Sequence, residues 1–90
     1  MTNFFQNGTS ADQLNLALKA YTQAERGMKT PNPDLFANRA TILEYLERYQ
    51  EAVRDYTHAH SIDPNLGTEA KATRIVDFVV GTARMIANKN

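Results

Sequence analysis

Between Pro33 and Pro64, small and large residues recur at a spacing that few backbones accommodate. Phe36, Ala40 and Leu43 follow one another at intervals of four and three. Ala52, Tyr56 and Ala59 do so again after a short polar break, and Asp63-Pro64 closes the stretch. Intervals of three and four put residues on one face of a helix. A small residue on one helix opposite a ring on the next lets two antiparallel helices approach closely. The stretch therefore reads as a helix-turn-helix unit. Its first helix runs to about Leu46 or Glu47 and its second from about Tyr49 to Ser61, with Arg48 as the turn.

The same signal recurs upstream. Ala17, Tyr21 and Ala24 precede Ala52, Tyr56 and Ala59 by 35 residues each. With Leu14, Leu18 and Met28 they predict a helix that begins at a Ser10 or Asp12 cap. This helix is the second half of an incomplete unit. Gly27 and Thr30-Pro31-Asn32-Pro33 end it, since glycine weakens a helix interior and proline cannot continue one. Asn32-Pro33-Asp34 then starts the next helix: a capping amide, a proline suited to the first helical position, and an acid at the positive end of the helix dipole.

A last helix is expected over roughly Thr68–Asn88. The β-branched run Ile75 to Val80 also suits a buried strand, but its flanks are helical and a lone strand here has no partner. Its apolar residues do not lie on one stripe, so one face covers the repeat and another meets something else. Ile75, Val79 and Ile86 are the candidates for self-association or for docking another domain. Residues 1–10 read as a flexible segment, 11–30 as a half repeat, 33–64 as a full repeat and 67–88 as a capping helix. The fold class is all-α, with about four helices.

Composition narrows the function. Ninety residues suffice for one domain with a modest core. Apolar residues make up 42% and charged ones 22%, which suits a folded domain rather than a disordered one. Ten basic residues balance ten acidic ones, so net charge points neither to nucleic acid nor to an anionic membrane. The chain has no cysteine, which excludes disulfides and thiolate metal sites and fits a reducing, cytoplasmic setting. No secretory signal or membrane-length apolar run is read at either end.

The small-large pattern resembles the tetratricopeptide repeat, a helix-turn-helix unit of about 34 residues. Phe36, Ala40, Leu43, Ala52, Tyr56, Ala59 and Pro64 take signature positions, while Arg39 stands where a leucine is usual. A narrower resemblance rests on Ala20-Tyr21, Gln23-Ala24-Glu25, Asn32-Pro33-Asp34-Leu35, Asn38-Arg39-Ala40-Thr41, Tyr45, Glu47, Tyr49, Glu51-Ala52 and Asp63-Pro64. These are similar to the last repeat of a family of adaptors, and the resemblance spans roughly residues 14 to 88. It implies a groove that recognises nascent tubulin N-termini at the ribosome, in tubulin autoregulation, and a cofactor role in the stress response, hence nuclear as well as cytoplasmic localisation.

In such repeats the groove is lined by the first helix of each pair. Here that implies Asp34, Ala37, Asn38, Thr41, Glu44 and Tyr45, followed by Thr68, Glu69, Lys71 and Ala72. The peptide-binding candidates are Asp34, Asn38, Thr41, Tyr45, Glu69 and Lys71. Asn38 sits where carboxylate-binding repeats place an amide, which both donates to and accepts from a peptide backbone. That clamp, the mark of co-chaperones that bind acidic C-terminal tails, also needs cations. Thr68 and Ala72 occupy the corresponding positions, and Lys71 and Arg74 lie off register. Asp34 and Glu69, both in first helical turns, are instead expected to hold an arginine or an N-terminal amine, though the same placement also stabilises the helix dipole. A third reading is an assembly subunit that docks through its last helix.

Other chemistry is not signalled. His58 and His60 are two apart and face different directions, so no metal or other cofactor is expected. Tyr45, Tyr49 and Tyr56 suit a stacking platform, but Tyr56 fits the repeat core and reads as packing, as does Tyr49. Glu44, Glu47, Arg48, Glu51, Arg54 and Asp55 read as a solvated charged surface. No phosphate loop, nucleophile motif or dinucleotide fingerprint occurs, so an enzyme is not expected.

Overall fold

A computed structural model describes residues 10–88. Among them are four α-helices and no strand: α1 (Ala11–Arg26), α2 (Pro33–Tyr45), α3 (Tyr49–Ile62) and α4 (Thr68–Asn88), with a 3₁₀ turn at Pro64–Leu66 between the last two. The run Ile75 to Val80 is helical. The segment expected to be flexible lies, apart from Ser10, outside the described residues.

Local chemistry sets most of the boundaries. The Ser10 hydroxyl accepts from the Gln13 amide at 3.3 Å and opens α1. The Asn32 side chain accepts from the Asp34 amide at 2.9 Å and opens α2, with Pro33 in the first turn. Asp63 accepts from the Asn65 amide at 3.0 Å and starts the 3₁₀ turn. Gly67, at φ 76°, then reverses the chain into α4, a conformation that glycine adopts without steric cost.

The turn between α2 and α3 is centred one residue earlier than expected. Glu47, not Arg48, takes the left-handed conformation, at φ 60°. The Glu47 amide donates to the Glu44 carbonyl at 3.0 Å and the Arg48 amide to the Leu43 carbonyl at 2.9 Å. This is the two-bond C-terminal cap usually built on glycine. Arg48 is the first residue outside α3 and gives it no side-chain cap.

The core lies where α2, α3 and α4 meet. Ala40, Ala52 and Ala59 are completely buried, and Phe36, Leu43 and Tyr56 are nearly so. The alternation of small and large residues is thus the packing surface itself. Thr68, Ala72 and Ile75 seat α4 on α3. On α1 the equivalent residues are less covered: Leu14 is buried, Ala17 and Tyr21 are half-buried, and Ala24 is exposed.

The buried Ile75 corrects the expected docking strip. With 3% of its surface exposed it belongs to the core, whereas Val79 and Ile86 are open to solvent, as are Val76, Phe78, Val80 and Met85. Asp55 is a second correction. It is 8% exposed rather than part of a solvated surface, because Arg39 holds it between α2 and α3.

Candidate functional site

A cavity of about 650 Å³ opens between α2 and α4. Thr41, Glu44 and Tyr45 line it from α2, Glu47 from the turn, Tyr49 and Tyr56 from α3, and Lys71, Arg74, Ile75 and Phe78 from α4. Spacings of three and four along α4 put its contributors on one face. The floor is firm, since Tyr56 and Ile75 are almost fully buried. The rim is aromatic: Phe78 is 56% exposed and meets Tyr49 edge to face, with ring centroids 5.5 Å apart.

A hydrogen-bond chain fixes the α2 wall. The Tyr56 hydroxyl donates to Glu44 at 3.1 Å and lies 3.0 Å from the Thr41 hydroxyl, which is also 3.1 Å from the Ala37 carbonyl. Burial pushes the Tyr56 phenol above its ordinary pKa, and the nearby Glu44 charge adds to the rise. Glu44 also faces Arg74, at 3.7 Å. Lys71 stands over the Tyr56 ring, 5.9 Å from its centroid, and Arg74 is largely exposed. The cavity therefore offers two cations near Tyr56 and an aromatic rim, with Glu47, near Tyr49.

Of the six candidates, Thr41, Tyr45 and Lys71 share this cavity; Asp34, Asn38 and Glu69 do not line it. Asp34 and Asn38 are exposed and continue the Thr41–Tyr45 face toward the start of α2 at helical spacing. Glu69 turns elsewhere. It approaches His60 Nε2 at 3.4 Å and lines a second cavity with Val53, Thr57, Ala72 and Val76. Two residues from Lys71, it points roughly opposite to it and away from the Lys71 cavity. Thr68 and Ala72, expected on the inner face, are buried against α3, and Lys71 and Arg74 take the groove instead.

Sequence reasoning missed Tyr49 and Phe78, which form the rim, and read Tyr56 as packing alone. The available signal was the three-and-four spacing of Lys71, Arg74, Ile75 and Phe78. Among the described residues no group of three or more potential metal ligands occurs, and no helix is long and apolar enough to cross a membrane.

Residues 33–66 match the family described as Tetratricopeptide repeat. The chain is similar to Tetratricopeptide repeat protein 5 of Bos taurus, with 41% identity over 63 residues, and to that of Homo sapiens, with 40%. Each match covers 68% of this chain but 14% of the relative. It is also similar to the DnaJ homolog subfamily C member 7 homolog of Dictyostelium discoideum, with 41% identity over 54 residues, covering 57% of this chain and 10% of the relative. This chain thus spans only a small part of the relatives it matches. No solved structure matches it significantly.

Proposed function

We propose that this tetratricopeptide repeat protein is an adaptor that binds an extended peptide in the groove between α2 and α4, and that the peptide presents an acidic group to Lys71 and Arg74. The observation that carries this reading is the juxtaposition of those two cations with the aromatic rim in one cavity. A carboxylate gains charge-assisted bonds from Lys71 and Arg74. An apolar side chain two or three residues along reaches Tyr49 and Phe78. Asn38, on the continuing face of α2, bonds the peptide backbone in this reading. This is the co-chaperone type of ligand, and the similarity to a DnaJ homolog agrees with it.

The second reading is recognition of a nascent tubulin N-terminus. It is favoured by the longer match, to Tetratricopeptide repeat protein 5, and by the Asn32–Leu35 and Asn38–Thr41 runs that carry the resemblance. Here Asp34 alone, without Glu69, takes the basic group of the peptide.

Titration calorimetry with two peptides separates these readings. One ends in an acidic tail with a free carboxylate, and the other begins Met-Arg-Glu with a free amine. The expected result is binding of the acidic tail, weakened severalfold by Lys71→Ala, since an exposed charge pair contributes up to about 1 kcal/mol. Binding of the amine-terminated peptide alone, weakened by Asp34→Ala and not by Lys71→Ala, moves the assignment to the tubulin-type adaptor. If neither peptide binds, the groove reading is wrong.

A further inference from the structure

The groove that holds Lys71 and Arg74 also holds a fixed carboxylate. Glu44 lines the same cavity from α2. Its Oε1 accepts from the Tyr56 hydroxyl at 3.1 Å, and its Oε2 lies 3.7 Å from Arg74 Nη2. The two charges are not equally held. The Glu44 side chain is 30% exposed and anchored on a tyrosine that is almost fully buried, whereas the Arg74 side chain is 66% exposed. Exposed side chains change rotamer readily, so Arg74 turns toward a ligand while Glu44 stays in place.

Any acid received by Lys71 and Arg74 meets this carboxylate. The incoming group takes Arg74 from Glu44 and leaves Glu44 beside a like charge. Glu47 is the second carboxylate of the lining, so two anions balance two cations there. The groove therefore has no net charge with which to draw in several acids at once. A second acid next to the first is repelled by Glu44. A basic side chain next to the first does the opposite. It takes up Glu44 as Arg74 leaves, and the charges alternate across the contact. A carboxylate left without a partner by one ligand and paired by another is a means of discrimination.

We infer, on the peptide-binding reading above, that Glu44 determines the specificity of this groove: it selects a peptide with one acid beside a basic residue over a peptide with adjacent acids. Tyr56 acts through Glu44, as the residue that positions it.

Titration calorimetry of the full chain with three peptides tests this. All are acetylated and amidated, and each carries one glutamate with a phenylalanine two residues further on. They differ only in the residue before that glutamate, which is lysine, alanine or a second glutamate. Affinity is expected to fall in that order, by about tenfold from first to last, as two exposed charge effects in sequence give. Glu44→Gln keeps an acceptor for the Tyr56 hydroxyl and removes the charge. In it the double-glutamate peptide binds severalfold more tightly, the lysine peptide more weakly, and the spread shrinks to about threefold or less. Glu51→Gln removes the same charge outside the groove and keeps the spread. Circular dichroism checks the helix content of each variant. If Glu44→Gln loses it, Tyr56→Phe takes its place, since it releases the carboxylate from its anchor and is expected to narrow the spread in the same direction. A parent that binds the double-glutamate peptide best, an unchanged spread in Glu44→Gln, or an equal narrowing in Glu51→Gln overturns the role of Glu44 and leaves the peptide reading standing. A parent that binds none of the three peptides overturns both.

Discussion

Arg39 grips Asp55 with two parallel hydrogen bonds, Nε to Oδ2 at 2.6 Å and Nη2 to Oδ1 at 3.0 Å. Its remaining terminal nitrogen, Nη1, reaches Glu25 at 2.7 Å. One guanidinium therefore ties α1, α2 and α3 together at a position where the repeat pattern usually places leucine. The bond to Asp55 is the main cause that raises the Arg39 pKa, so the group is charged at any working pH. Both side chains are close to seven-eighths buried. Removing one partner strands the other as a buried charge, which costs more than the intact pair contributes.

Arg39→Leu, although it restores the common residue, is therefore expected to lower unfolding stability by about 3 kcal/mol. The double variant Arg39→Leu/Asp55→Leu recovers most of that loss, because the one charge left at the junction, Glu25, reaches solvent. Urea unfolding of the two variants checks this. A single variant as stable as the parent would show the pair to be solvated.

Glu47 occupies the left-handed position that closes α2. For a residue with a Cβ that conformation costs roughly 1–2 kcal/mol, while glycine loses about 0.5–1 kcal/mol of backbone entropy on folding. Glu47→Gly is expected to raise stability by a few tenths to about 1 kcal/mol, read as a higher denaturant midpoint at unchanged slope.

The packing residues were legible in the chain, and the groove was not, for a physical reason. Phe36, Ala40, Leu43, Ala52, Tyr56 and Ala59 are chosen by close approach alone, so their spacing is sufficient to place them. The groove depends on how α4 is rotated about its own axis. The Pro64–Leu66 turn and the left-handed Gly67 set that rotation, and it exchanges Thr68 and Ala72 for Lys71 and Arg74. Glu69 went astray with the same rotation and faces His60 instead. Asp55 looked like surface because its partner lies 16 residues away, on another helix, at a position where an arginine is unexpected.

Tyr56 predicts how the fold responds to alkali. Burial raises its pKa above 10.0, so the folded state prefers the protonated phenol more strongly than the unfolded chain does. This contribution is complete below about pH 10 and is lost as pH climbs through the raised value. Stability is expected to fall above pH 10, and Tyr56→Phe is expected to remove that part of the fall. At neutral pH the same substitution costs about 1 kcal/mol, for the hydroxyl that bridges Glu44 and Thr41. Unfolding midpoints between pH 8 and 11 for the two proteins supply the comparison.

Phe78 separates binding from folding. Its ring is 56% exposed, touches Tyr49 and borders the cavity, while the residues that seat α4 are Thr68, Ala72 and Ile75. Phe78→Ala is expected to cost about 1 kcal/mol of stability, the edge-to-face contact with Tyr49 and little else. An exposed aromatic that becomes covered by ligand is the kind of residue whose truncation costs well over 1 kcal/mol in an interface. Peptide affinity is therefore expected to fall about tenfold or more in Phe78→Ala, with the helix content unchanged. Ile75→Ala is the counterpart: that side chain is 3% exposed, and its loss is expected to cost about 2–5 kcal/mol of stability. A Phe78→Ala protein that binds peptide as the parent does would move the contact surface toward Asn38 and Asp34, at the open end of α2.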